Sequence, residues 1–378
     1  MKNLKKTLLF TSLFVAASAQ AEVTLNGFAS IVAGTTTSSD ETLYGFENNF
    51  DFSQGSLLAL QASSDLGEGF SVTAQVLSRG ADDWDTDFEW AYVAYEANDN
   101  LRILAGRQRV PFYMFSDFLD VSYAYAWITP PTGVYDLVFD TFDGLGVIYN
   151  TSVGEFDTTL HLVYGGNNSE INLKGGGSSD AEFKNLAGAA LTVTRDWLTL
   201  RAAYLQTEMN IPVDALTPLI DGWRSTPFTN VADDLETSKD IGSFIELGFQ
   251  LDFENIIVVG EFTQLTLDDT PFSDDDSYYI MAGYRFDNML AHVTYGVDEN
   301  SKARITDGVP VGVGLDGLIE PTNAFTDSRI SETNYVTLGL RWDFHDSAAL
   351  KFEYTSYSDD LDGNNDAGLF RTALVTVF

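Results

Sequence analysis

From Glu22 to Phe378 the chain alternates apolar and polar residues in runs of about ten, and turns separate the runs. In "FSVTAQVLSR", Phe70, Val72, Ala74 and Val76 share one face, while Ser71, Thr73, Gln75 and Arg79 share the other. "NYVTLGLRWDF" sets Val336, Leu338, Leu340, Trp342 and Phe344 against Tyr335, Thr337, Gly339, Arg341 and Asp343. "FIELGFQLD" repeats the pattern with Ile245, Leu247, Phe249 and Leu251 opposite Glu246, Gly248 and Gln250. A period of two over such lengths predicts β-strands with one apolar face. Sixteen such runs are present, the first eight beginning near Glu22, Gly55, Phe70, Asp87, Leu101, Gly144, Phe156 and Ala187. The other eight begin near Trp197, Ile241, Ile256, Ser277, Met289, Asn334, Ala348 and Gly368.

Two kinds of link alternate strictly between the runs. One is tight: "DLGEG", "NDN", "SVGE", "RD", "FEN", "DN" and "HDS". The other is long and rich in Asp, Gly, Ser and Thr, as in Thr35 to Gln54, Gly166 to Leu186, Glu208 to Asp240 and Asp298 to Ser331. Tight turns therefore gather at one end of the sheet and long loops at the other. An even number of ten-residue antiparallel strands with that asymmetry is the pattern of a transmembrane β-barrel, with short periplasmic turns and long external loops. Phe156 and Tyr164 share parity near the two ends of one run, as do Tyr278 and Phe286. Eight residues at roughly 3.3 Å each, tilted by about 40°, separate such rings by about 20 Å, which suits aromatic girdles on an apolar band. Trp197 is out of phase with Leu198, Leu200 and Tyr204 and fits no face. A soluble sandwich would use the apolar face as its core, but a single closed layer of sixteen strands is too wide for side chains to fill. The polar face must then enclose water.

Residues 1–21 read as an export leader: Lys2, Lys5 and Lys6, then "LLFTSLFVAA", then a small-x-small site at Ala19, Gln20 and Ala21. The mature chain is expected to run from Glu22 to Phe378. Its apolar runs are all too short for a membrane helix ("NIIVVG" is among the longest), so a spanning chain must cross as strands. The sequence contains no cysteine, which excludes disulfides, thiol nucleophiles and cysteine metal ligands. Without the three leader lysines the formal charge of −36 becomes −39, so nucleic acid is excluded as a partner. At 44% hydrophobic and 13% aromatic residues, the chain is far too apolar for an acidic disordered tail.

One segment breaks the strand rhythm. "LRILAGRQR" ends on Arg107 and Arg109, and Pro111 then opens about thirty residues of Phe, Tyr, Trp and Asp: "PFYMFSDFLDVSYAYAWITPPTGVYDLVF". A loop that long is functional or disordered, and this one is too aromatic for disorder. With the leader, the strand count, this long loop after the fifth strand and the ending "TALVTVF", the chain resembles the Gram-negative general porins over its whole mature length. The resemblance implies passive diffusion of small hydrophilic solutes and ions through a water-filled pore in the outer membrane. It also implies a homotrimer among outer-membrane lipid and lipopolysaccharide. Phe378, with Leu374 and Phe370 facing lipid, resembles the signal read by the barrel-assembly machinery.

By the same resemblance, residues 110–142 form a third loop that folds inward and narrows the pore. Asp117, Asp120, Asp136 and Asp140 on the loop would face Arg79, Arg102, Arg201 and Arg341, which have lumen-facing parity on the wall. Arg107 and Arg109 have the opposite parity to Arg102, so either a bulge near Gly106 re-aims them or they stand above the membrane band. A nearly balanced waist with an acidic loop implies a mild cation preference. "YMF" and "YAYAW" leave a sugar-selective channel as the alternative, although packing of the loop against the wall also accounts for them. A secreted β-rich carbohydrate-binding protein is the more distant alternative. Catalysis is not expected: His161, His292 and His345 stand on separate strands or turns, with no nucleophile or metal motif around them. No cofactor or metal site is expected either. "DDTPFSDDD" and "SDDLDGNND" read as solvated acidic loops, and the second lacks the closing glutamate of an EF-hand.

Overall fold

The computed structural model describes residues 22–39, 41–173 and 177–378. The expected leader, residues 1–21, lies outside the described residues. Sixteen antiparallel strands close into one barrel. They are β1 (Val23–Thr36), β2 (Leu57–Gly67), β3 (Phe70–Arg79), β4 (Thr86–Asn98), β5 (Leu101–Arg109), β6 (Thr141–Val153), β7 (Phe156–Asn172) and β8 (Ser178–Arg195). The second half holds β9 (Leu198–Asn210), β10 (Ser238–Phe253), β11 (Ile256–Leu267), β12 (Asp274–Phe286), β13 (Met289–Ser301), β14 (Ser331–His345), β15 (Ala348–Asp359) and β16 (Ala367–Val377).

Each strand pairs with its sequence neighbours, and β1 pairs with β16 from Phe28↔Val377 to Thr36↔Leu369. The Gly27 and Phe378 amides each donate to the other's carbonyl, at 2.7 and 2.9 Å. Closure is what lipid demands, because an open strand edge has no water to satisfy its backbone groups there.

The period-two pattern becomes two surfaces. Tyr204, Leu247, Ile280, Leu338 and Leu374 are exposed on the outer face, whereas the alternate positions Ala203, Glu246, Tyr279, Thr337 and Ala373 are buried. Tyr164, Tyr278 and Phe286 are exposed, and Phe156 lies half-buried under the Arg195 guanidinium, 5.5 Å from its ring centroid. Trp197 belongs to the turn between β8 and β9 and stacks on Phe253 at 4.2 Å, which explains its lack of strand phase.

Three of the long links are more ordered than their composition suggests. The stretch from Gly166 to Leu186 is largely a continuation of β7 and β8, paired out to Asn172↔Ser178. The links after β9 and β13 carry helices: α1 (Thr217–Arg224), α2 (Thr229–Leu235) and α3 (Asp316–Asp327). Pro218 starts α1 where its missing N–H costs nothing. Leu216, Leu219, Ile220 and Trp223 recur at helical spacing. Trp223 is fully buried among Val231, Leu235 and Ile319, and its indole N–H donates to Thr322 Oγ1 at 2.9 Å. These helices form a small external core separate from the barrel wall.

Trp223→Ala should therefore unfold this external core without opening the barrel, because truncating a buried Trp costs about 3–5 kcal/mol. Limited proteolysis of the membrane-embedded protein should show new cleavage within residues 213–330. The barrel itself should still migrate as a folded, heat-modifiable species.

Candidate functional site

The chain between β5 and β6, residues 110–140, lies inside the barrel. Its backbone forms only short 3-10 turns, so most of its N–H and C=O groups need partners from elsewhere. The wall provides many of them. Arg201 on β9 donates to the Pro111 and Phe112 carbonyls at 2.6 and 3.2 Å, and Glu261 on β11 accepts from the Met114 amide at 2.8 Å. Arg341 on β14 donates to the Tyr123 and Tyr125 carbonyls at 2.8 and 2.9 Å. Lys351 on β15 is buried and donates to the carbonyls of Ser122, Tyr125 and Trp127. Glu353 accepts from the Ile128 amide at 2.7 Å, and Arg371 on β16 donates to Thr129 Oγ1 at 3.0 Å.

Apolar packing completes the attachment. Phe112 meets Phe244 edge-on at 5.0 Å, and Trp127 meets Tyr279 at 5.5 Å while donating to Thr294 Oγ1 at 2.7 Å. Tyr113, Phe115, Tyr125 and Trp127 are all buried between loop and wall. The aromatic run that marked the loop in the sequence is thus its packing surface.

The loop is held back to its own start by an ion network. Arg109, with 4% of its side chain exposed, bonds Asp120 and Asp140 at 2.5 Å each and Glu89 at 3.2 Å. Arg79 bonds Glu89 at 2.8 Å and Asp120 at 3.0 Å. Burial opposes ionisation of Asp120, but Arg109 and Arg79 outweigh it and hold the carboxyl below its usual range. Glu89 reaches the lumen through a slip in the β3–β4 pairing between Gln75 and Val76. Phe88 stays outside, and Glu89 and Trp90 both turn in.

Of the residues singled out by sequence, the structure brings Arg79, Arg109, Asp120 and Asp140 together. It separates the others, so eight charges facing one another across a gap is not the arrangement found. Arg201, paired with Glu246 at 2.6 Å, and Arg341, paired with Asp343 at 2.7 Å, are spent on holding the loop. Arg102 pairs with Glu96 at 3.0 Å beside the tight turn after β4.

Arg107 lies on the outer surface with Asp143, at 2.9 Å. The β5–β6 pairing runs unbroken to Arg109↔Thr141, so no bulge re-aims the arginines. Arg109 turns inward because the strand ends there. Gly106 is required just before it: its φ is +129°, and a side chain would collide with the Ala91 carbonyl. Sequence reasoning missed Glu89, Glu261, Arg371, Lys351 and Glu353. The last two were legible as polar positions on the lumen face of "LKFEYTSY", whereas Glu89 depends on a pairing slip that no pattern announces.

The loop divides the lumen. On the tight-turn side a cavity of about 510 Å³ is bordered by Asp117, Asn26, Gln61, Gln75 and Phe378. On the external side a cavity of about 980 Å³ is bordered by Asp136, Asp275, Asp298, Asp327, Asp359 and Asp362, and among the described residues lining it there is no lysine or arginine. No group of three or more His, Cys, Asp or Glu among the described residues is placed to hold a metal ion.

A model of the Gram-negative porins matches residues 8–364. The chain belongs to the Gram-negative porin family. It is accordingly an outer-membrane channel for passive diffusion, and not an enzyme. Solved structures of the same fold span the porin's length at low identity. The outer-membrane channel DcaP of Acinetobacter baumannii has a TM-score of 0.60 and 13% identity, covering 96% of this chain and 99% of its own. The anion-selective porin from Comamonas acidovorans has a TM-score of 0.59 and 14% identity, with 95% and 100% covered. In-vitro folded OmpT of Vibrio cholerae, in its trimer form, has a TM-score of 0.57 and 12% identity, with 95% and 99% covered. No curated protein matches the porin's sequence significantly.

Arg109→Ala should free the loop's ends, because removing one partner of a buried ion network costs about 3–5 kcal/mol. Single-channel records should then show larger and noisier conductance than wild type. The Asp120 links should survive mild acid. A carboxyl held below its ordinary value, about 3.9, keeps its contribution above that value and loses it only as pH falls through the lowered one. The Asp120 links should therefore persist from pH 7 to pH 5, read as loop noise far below that of Asp120→Asn over the same range.

Proposed function

We propose that the porin passes small hydrophilic solutes with a mild preference for cations, and that residues 110–140 form its waist. The observation that carries this is the external cavity, with six aspartates and no lysine or arginine among the described residues of its lining; one of the six, Asp327, is paired with Arg304 at 2.6 Å. Carboxylates in a confined, water-filled mouth raise the local concentration of cations, and the effect grows as salt is diluted and screening weakens. The anchoring of the loop to β9, β11 and β13 to β16 supports the waist, because a segment tied around the wall cannot swing out with the flow. At the waist itself Arg79 and Arg109 meet Glu89, Asp120 and Asp140, so the local charge is close to balanced and the preference stays mild. The sugar-selective alternative loses its main support, since Tyr113, Phe115, Tyr125 and Trp127 are buried against the wall and present no aromatic track to a solute.

The test is the reversal potential under a KCl gradient. Wild type should favour potassium, more so at low salt, and Asp136→Asn/Asp275→Asn/Asp298→Asn should bring the potential close to zero. A wild-type channel that favours chloride would overturn the reading.

Assembly as a homotrimer is part of the same proposal. Leu25, Ile31, Leu58 and Leu60 are exposed on β1 and β2, with the small Ala29, Ala62 and Ala74 beside them on β1 to β3. OmpT of Vibrio cholerae is a trimer in the cited form. Cross-linking the detergent-extracted protein should give a product of three chains, and a monomer alone would count against it.

A further inference from the structure

On β9 and β10 the lumen face changes character along its length. Arg201 and Glu246 hold the loop, but the inward positions farther toward the outside include Leu205, Met209 and Phe244, each less than 5% exposed, with Thr207 between the first two. With Phe183 on β8, and Leu137 and Phe139 on the loop, they border a cavity of about 300 Å³. Its lining is mainly apolar, in a lumen where water is the natural occupant. The cavity shares Asp136, Leu137, Phe244 and Leu265 with the acidic external cavity, so it opens sideways from the solute path. An apolar cavity of about 150 Å³ is enough to bind benzene, and this one has room for a ring and a short chain.

We propose that this side cavity binds cationic amphiphiles: small ammonium compounds that carry an aromatic or branched apolar body. The body enters between the loop and β8 to β11, and the ammonium stays in the vestibule beside Asp136. Arg329 borders the far edge, its guanidinium stacked 3.6 Å from the centroid of Phe325 and 5.6 Å from that of Phe272. It disfavours a second positive charge deep inside, so the ammonium is left at the mouth. An anionic amphiphile would meet six aspartates before reaching Arg329. The choice of charge rests on the cation preference proposed above, whereas the apolar site does not.

The experiment is current block in planar bilayers, with phenethylammonium, methylammonium or phenylacetate added on the loop side of the wild-type channel. Burying one aromatic ring is worth roughly tenfold or more in affinity. Phenethylammonium should therefore block saturably at about one tenth or less of the methylammonium concentration, and phenylacetate should block weakly. Gly242→Val fills the cavity from the wall: a Cβ there meets Met209 Sδ at 2.9 Å and Leu267 Cδ2 at 3.4 Å, both flexible side-chain ends. It should bring phenethylammonium down to the level of methylammonium while leaving the KCl reversal potential unchanged. Leu137→Asn makes the same cavity polar from the loop, without touching a strand, and should act alike if the first variant fails to insert.

Equal block by the two ammonium ions in wild type would overturn the proposal. So would an aromatic preference that survives both variants, or block by phenylacetate as strong as by phenethylammonium. A channel that favours chloride, yet shows an aromatic preference that Gly242→Val abolishes, would support the apolar site and overturn the cation reading of the vestibule.

Discussion

The architecture depends on satisfying the backbone of residues 110–140 inside the lumen. A segment with only short 3-10 turns carries orphan amides and carbonyls, and each one left unpaired away from water costs about 1–3 kcal/mol. The wall answers with charged side chains rather than strands. Arg201, Arg341 and Lys351 between them donate to carbonyls from Pro111 to Trp127, and Glu261 and Glu353 accept the amides of Met114 and Ile128. Charge-assisted bonds are the stronger kind. They also occupy two of the four arginines that parity alone would assign to the open pore, Arg201 and Arg341.

The two cavities differ. The tight-turn side is bordered by amides together with Asp117 and the Arg109–Asp120 pair, and the external side by six aspartates, with no lysine or arginine among its described lining residues. The side cavity follows from the same attachment. Where β8 to β11 rise past the Arg201–Glu246 pair, apolar residues face inward to receive Phe112 and Phe139, and the fit of loop to wall leaves a space. The external helices are a separate solution to a similar problem: long links bury Trp223 and its neighbours against one another, above the wall rather than within it.

Much of this was open to inspection in the amino-acid order. Alternation with period two, repeated sixteen times between tight and long links, determines the strands, their outer faces and the closure of the barrel, because lipid outside and water inside reward only that pattern. The aromatic loop after β5 was equally visible, since its composition is too apolar for either solvent or disorder. Tertiary structure alone decided which charges meet. Lumen parity is shared by Arg79, Arg102, Arg201 and Arg341, but their heights along the strands differ. One therefore joins the Asp120 network, one stays by a tight turn, and two clamp the loop's carbonyls. Glu89 enters through a pairing slip, and Arg109 turns inward because its strand ends. Side-chain parity is a property of one strand and is written locally. The partner of a buried charge is set by strands and loops hundreds of residues apart, and it exists only once the barrel has closed around its loop.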